Sequence, residues 1–467
     1  MNDLWELDAT RLAEVIRNGE ASARDAVAAC IGRIEAINGE LNAITVVYGE
    51  EALAAAVAAD QRQADGGSLG SLHGVPFAVK ENIDVKGWPT TLGVPAFAGT
   101  TPPRDAPIVE QLKAAGAIPV AATNVPDFAL RWHTESSLRG TTRNPWARDR
   151  TPGGSSGGSA AALATGMVPL ALGNDLGGSL RVPAQFCGVA SLRPSHGRVA
   201  RANATMPGEL PLSFQLMYVE GPMARRVADL DLALAAMSNG DARDPWWVPA
   251  PIEHARKPAR HAIALTLDPG GMGVEPQVSA GVKKAAAALA DAGYVIEEAE
   301  PPEVIEAMQM WRCLLFNETR SMLLDVVREF GAPNATRSLE LCDPFIPDVS
   351  KNELIRTFAG RTHLFRQWLA FFERYPLILG PVSTEPPFTV GDDVLSTERS
   401  QRLMDSMRLV VAANLLGLPV AVVPTGIADG LPQAVQIIGA PFAEARCLQA
   451  ASVVEDALGT LTPIAPR

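Results

Sequence analysis

Residues 152–181 read PGGSSGGSAAALATGMVPLALGNDLGGSLR. The stretch holds three glycine pairs: Gly153-Gly154, Gly157-Gly158 and Gly177-Gly178. Glycine lets a backbone take positive φ or come close to another segment. Two of the pairs bracket Ser155-Ser156, and the third stands directly before Ser179. Between them, residues 159–166 are rich in Ala and predict a helix, and residues 168–173 are a short apolar run that predicts a buried strand. A turn, a helix, a buried strand and a second turn in this order place the segment inside an α/β core.

The same alternation continues on both sides. Residues 75–80 (VPFAVK) and 118–122 are apolar runs of strand type, with a helical pattern at 109–115 between them. Further strands are expected at 261–267, 294–298, 377–379, 420–423 and 434–438. Helices are expected at 276–292, 399–415 and 444–458, the first with Pro276 in its opening turn. Residues 8–60 read as helices, with Asp8 or Thr10 as the first cap and Gly66-Gly67 as a break. Residues 241–260 are rich in Pro and charge and read as a loop or linker. Residues 303–375 read as mainly helical. Short strands alternating with helices imply a largely parallel or mixed sheet, buried on both faces.

The chain has 467 residues, 47% of them hydrophobic, ample for a large core in one big domain or two ordinary ones. Its net charge is −12, and the longest basic cluster, residues 193–201, is broken by Pro194, Ser195 and Gly197. No nucleic-acid partner is expected from that pattern. Five scattered cysteines without CxxC spacing argue against a disulfide framework and against a thiolate zinc site. The first twenty residues lack a basic head followed by an apolar run, so no secretory signal is read. No run of about 18 apolar residues occurs, so no membrane span is read and a cytoplasmic protein is the expectation.

Gly177-Gly178-Ser179 offers a hydroxyl and several N–H groups to one cavity if a helix begins at Leu180. Those N–H groups suit the oxyanion of acyl transfer, and Asp175 is placed to brace the loop. A serine nucleophile needs a base. None of the six histidines (His73, His133, His196, His254, His261, His363) sits in a recognisable catalytic motif. Lys80 closes the apolar run GVPFAVK, whose neighbours would desolvate it and lower its pKa until the amine is neutral. Each feature has an ordinary alternative: a flexible or phosphate-binding glycine loop, a helix-capping serine, a solvated lysine at a strand end. The loop is not a Walker motif, because no Gly-Lys-Ser/Thr follows.

The ordered combination resembles the amidase signature family. The matching text is GVPFAVKENIDVKG, then TPGGSSGGSAAALATGMVPLALGNDLGGSLRVPAQFCGV, then NLLGLPVAVVPTGIADGLPQAVQIIG. With the N-terminal helices the likeness spans nearly the whole chain. It implies a mixed, mainly parallel β-sheet core covered on both faces by α-helices. It also implies one domain over 1–467: N-terminal helices to 70, a catalytic core at 71–240, a variable pocket region at 300–400 and the rest of the core at 401–467. The implied triad is Ser179 as nucleophile, Ser155 as relay and Lys80 as base, with a cis peptide before Ser155. The two serines stand 24 residues apart, as the family spacing requires. The N–H groups of Leu176, Gly177, Gly178 and Ser179 are the implied oxyanion hole. Ser156, Asp175 and Arg181 are expected to support the network. No metal or organic cofactor is implied.

The sequence departs from the family at residues 213–222, SFQLMYVEGP, which is longer than usual and lacks an expected Asp. The resemblance gives the pocket to the variable region at about 300–400, which carries Trp311, Phe316, Met308, Met310, Phe345 and Phe365; these, with Trp132, Met206 and Tyr218, are the candidates for its lining, and packed core is the alternative for most of them. An apolar acyl or aryl pocket would favour aryl or medium-chain amides, and esters or carbamates present the same carbonyl. The expected partner is a small amide, with no membrane and with a homodimer left open. Two rival readings stand beside this one. The first is the amidase component of a tRNA-dependent amidotransferase; the second is a silent module using the glycine loops to hold an anion.

Overall fold

The computed structural model describes residues 3–205, 208–252 and 262–467. The first strands are β1 (Ile44–Val47), β2 (Pro76–Lys80) and β3 (Ile118–Thr123). A small separate ribbon follows, β4 (Glu135–Ser136) with β5 (Gly140–Thr141). Next come β6 (Leu170–Asp175), β7 (Ala190–Arg193) and β8 (Val219–Ala224). The later strands are β9 (Ala262–Leu265), β10 (Val295–Glu298), β11 (Leu377–Pro381), β12 (Val420–Ala428) and β13 (Leu431–Gly439). Eleven of them form one sheet in the order β1-β3-β2-β6-β8-β7-β12-β13-β11-β9-β10.

This is a mixed α/β sheet with helices on both faces, and period-two alternation sorts its side chains. In β2, Phe77 and Val79 face one core while Ala78 faces the other; in β6, Leu170 and Leu172 oppose Ala171 in the same way. In β12, Ala421 and Val423 oppose Val420 and Val422. The helices Pro107–Ala114, Val227–Met237, Pro276–Asp291 and Glu444–Leu458 cover the first face. The helices Ala23–Leu41, Gly157–Ala164, Arg181–Cys187, Val304–Met322 and Arg408–Leu416 cover the second.

Parallel pairing occupies two blocks, β3-β2-β6 and β11-β9-β10, and the pairings between and outside them are antiparallel. The antiparallel share is larger than the strand–helix alternation predicts. One reason is the hairpin between β12 and β13, where Asp429 and Gly430 take φ of 51° and 75° and close a two-residue turn without any crossover helix. The helical reading of residues 8–60 needs a correction as well. Ile44–Val47 is an edge strand paired with β3, because four β-branched residues in a row suit a pleated edge better than a helix. The expected helix at 399–415 is two, Thr397–Ser406 and Arg408–Leu416. Residues 303–375 are mainly helical as read, and among the described residues no helix is long and apolar enough to cross a membrane.

The helix Gly157–Ala164 begins where the ends of β1 and β3 crowd it. A Cβ on Gly158 would stand 2.5 Å from the Asn124 amide nitrogen, 2.6 Å from the Asn124 carbonyl oxygen and 2.8 Å from the Ala43 carbonyl oxygen. All three are backbone and cannot swing aside. Gly158→Ala is therefore expected to destabilise the protein by about 1–3 kcal/mol or more, seen as a lower urea midpoint. An unchanged midpoint would show that β1 and β3 can move apart freely.

Candidate active site

β2 and β6 are parallel neighbours, so their C-terminal ends lie side by side and bring Lys80 next to residues 173–175. Lys80 is fully buried. Its Nζ lies 2.7 Å from Ser155 Oγ and donates to Asn174 Oδ1 at 2.6 Å. Asn174 in turn donates from Nδ2 to Asn82 Oδ1 at 2.8 Å. The Gly154–Ser155 peptide is cis. Ser156 Oγ reaches the Asn174 carbonyl at 3.4 Å. Burial pushes the Lys80 amine well below the ordinary lysine range, and the negative charges of Asp175 and Glu220 only partly oppose that. Burial in this setting disfavours the charged ammonium beside Ser155.

Asp175 ends β6 and organises the loop that follows. Its carboxylate accepts from the Gly178 N–H at 2.8 Å, the Leu180 N–H at 3.3 Å, Arg181 Nε at 2.9 Å and Asn414 Nδ2 at 2.7 Å. Burial alone would raise this carboxyl. The charge and hydrogen bonds of Arg181, the charge of Arg193 and the Asn414 amide hold it below the usual carboxylate range instead. Arg181 also donates to the Val410 carbonyl at 3.0 Å and to Gln436 Oε1 at 3.2 Å. The loop is thus tied to β13 and to the helix Arg408–Leu416.

Ser179 opens on two cavities that share Ala129, Leu130 and Leu176. One is mainly apolar, with Trp132, Trp311, Leu315, Phe316, Leu403 and Met404 among its walls. The other is more polar and holds Ser155, Asn82, Asn174, Arg201, Asn203 and Tyr218. Ser155 and Ser179 therefore face common space. None of the described histidines lines either cavity. Of the four expected oxyanion donors, the N–H groups of Leu176, Gly177 and Ser179 have no acceptor among the described residues. The Gly178 N–H is held by Asp175, whose carboxylate reaches it from within the same turn.

Of the expected pocket residues, Trp132, Trp311 and Phe316 line the apolar cavity and Tyr218 lines the polar one. Met206 lies outside the described residues. Met308 belongs to the packed core instead, and Met310, Phe345 and Phe365 are partly buried against it without lining either cavity. Asn174, Asn82 and Glu220 were not singled out by the sequence. Their signal was present, as polar residues inside or just after strands that are otherwise wholly buried.

Known proteins resemble this chain over nearly its whole length. A family model described as Amidase matches residues 25–448. An indoleacetamide hydrolase of Bradyrhizobium diazoefficiens is 42% identical over 463 residues, covering 98% of this chain and 88% of the relative. A glutamyl-tRNA(Gln) amidotransferase subunit of Moorella thermoacetica is 34% identical, covering 97% of both chains. A solved bacterial aryl acylamidase of the amidase signature enzymes superposes with a TM-score of 0.84 at 28% identity, over 97% of this chain and 96% of its own.

Glu220 gives the site a measurable signature. It faces Asn174 across the β6–β8 pairing, is fully buried, and neither carboxyl oxygen has a hydrogen-bond partner among the described residues. Burial pushes its carboxyl up to about 8; Arg201 and Lys80 oppose the rise and Asp84 and Asp244 add to it. The folded value is above the unfolded one, so this group's stabilising contribution is lost as pH rises through about 8. Glu220→Gln cannot ionise. Its urea midpoint relative to the parent is expected to rise from about pH 6 to about pH 9, and a difference that stays constant would show that Glu220 does not titrate there.

Proposed function

The chain belongs to the amidase family, whose members hydrolyse amides, and we propose that it cleaves arylacetamide-type primary amides through an acyl-serine intermediate. Ser179 is the nucleophile, Ser155 the relay and Lys80 the base. The observation that carries this reading is the 2.7 Å contact of a buried Lys80 amine with Ser155, facing the same cavity as Ser179. Neutral Lys80 accepts the Ser155 proton as Ser155 accepts that of Ser179. Ser179 Oγ then attacks the amide carbon. The N–H groups of Gly177 and Ser179, with that of Leu176, hold the oxyanion. Gly178 contributes indirectly, because its N–H keeps the loop on Asp175. Ser155 returns a proton to the departing ammonia, and water releases the acid by the same relay. Ser156 supports the network from the Asn174 carbonyl, and Arg181 does so through Asp175.

The aryl preference is supported by the aromatic walls Trp132, Trp311 and Phe316 beside Ser179, and by the 42% identity to an indoleacetamide hydrolase. Phenylacetamide and indole-3-acetamide should therefore be cleaved faster by the purified chain than a fatty amide, an aryl carbamate or glutamine. Aryl esters share the carbonyl and should turn over as a side activity. The amidotransferase reading has the Moorella relative in its favour. Glutamine hydrolysis that dominates the panel, or that appears only with a partner protein, would decide for it.

Lys80→Ala and Ser179→Ala should each lower kcat by about three orders of magnitude or more, with the circular dichroism spectrum retained. The rate should climb with pH as Lys80 loses its proton, and the rise should fall well below the ordinary lysine range. A rate that is flat across acid and alkali, or a lysine variant with near-normal turnover, would falsify the assignment of the base. Labelling of Ser179 by a fluorophosphonate is expected, and its absence would favour a silent anion-binding module.

A further inference from the structure

Two indoles grip consecutive carbonyls of the loop that carries Ser179. Trp311 Nε1 donates to the Leu176 carbonyl at 3.2 Å, and Trp132 Nε1 donates to the Gly177 carbonyl at 2.7 Å. They come from distant parts of the chain. Trp132 follows β3, whereas Trp311 lies on the helix Val304–Met322. Their rings stack on each other, 6.4 Å between centroids and 20° between planes, and Phe316 meets Trp311 edge-on at 6.4 Å. A Cβ on Gly177 would stand 2.6 Å from the Trp311 ring, so the indole lies directly on the loop backbone.

A peptide unit is planar, and its C=O and N–H point in opposite directions. Holding the Leu176 carbonyl therefore aims the Gly177 N–H, and holding the Gly177 carbonyl aims the Gly178 N–H. The second unit is fixed at both ends, by Trp132 on its carbonyl and by Asp175 on its amide. The first is fixed at its carbonyl by Trp311, and its N–H is left free for a ligand. Next to two glycines such a unit would otherwise rotate easily.

We infer that Trp311 and Trp132 are positioning residues for the oxyanion loop as well as walls of the acyl cavity. This rests on the proposed acyl-transfer reading of Ser179. An aromatic acyl group seated on the two rings presses on the groups that aim the Gly177 N–H, so recognition of the acyl part appears in the rate of the chemical step as well as in binding.

The test separates the donor from the ring. Trp311→Phe and Trp132→Phe keep an aromatic wall and delete the N–H. Each is assayed on phenylacetamide, on acetamide, which is too short to reach the rings, and by the rate of fluorophosphonate labelling. Trp311→Phe is expected to lower kcat on both amides by about tenfold with KM nearly unchanged, a smaller loss than that of an oxyanion donor itself. It should slow labelling by a similar factor. Trp132→Phe should show a smaller loss of the same kind, since Asp175 still holds that peptide unit. A loss confined to phenylacetamide and expressed in KM, or an unchanged labelling rate, overturns the inference and leaves the rings as walls only. If the parent protein cleaves neither amide, the substrate reading fails and the labelling rates still judge the inference. Should Trp311→Phe fold poorly, β-(3-benzothienyl)alanine at 311 keeps the bicyclic shape without the donor and is read in the same way.

Discussion

A primary amine enclosed at the end of β2 is the constraint from which the rest of the site follows. Lys80 is fully buried, and burial pushes its amine well below the ordinary lysine range. A lysine shifted in this direction suits the proposed role of base, and its two oxygen partners, Ser155 and Asn174, fix where the amine points. A carboxylate in direct contact would stabilise the ammonium and oppose that shift. Glu220, a buried acid that also acts on this amine, has its own carboxyl pushed up to about 8 by burial.

The ionised pair a few residues further on follows the opposite logic. Asp175 and Arg181 are both inaccessible to solvent, and the partners around Asp175 hold its carboxyl below the usual carboxylate range. A buried ion pair contributes little to stability by itself, but breaking one leaves an uncompensated charge. Its structural effect here is to fix a turn: the carboxylate gathers the N–H groups of Gly178 and Leu180 and leaves those of Gly177 and Ser179 outward. One half of the site thus disfavours charge by burial and the other encloses it among partners.

Much of this was legible in the sequence. The glycine pairs around Ser155 and before Ser179, and a lysine closing an apolar strand, mark local conformations, and local conformation is what residue order encodes most directly. The burial of β2 and β6 on both faces could also be read, because both strands open on short apolar runs. What could not be read depends on contacts between distant segments. Nothing near Gly177 in sequence announces that an indole 134 positions later lies on its backbone, and nothing in residues 213–222 shows that Glu220 pairs across to Asn174. The split between cavity and core among the aromatics of the helical region belongs to the same class. Met310 and Trp311 are adjacent in the chain, yet only the second reaches the cavity. The strand Ile44–Val47 was missed because four residues are too short for any periodicity to register.

The apolar cavity takes walls from the helix Val304–Met322 and from Leu403 and Met404, whereas Lys80, Ser155 and Ser179 all lie between residues 80 and 179. Such a division invites the chain to diversify: the later segment can be rewritten to admit new acyl groups while the earlier one is inherited intact. Trp311 limits that freedom. It sits in the interchangeable part but grips the inherited machinery, so a lineage that exchanges this helix for another takes on the new helix's turnover along with its taste.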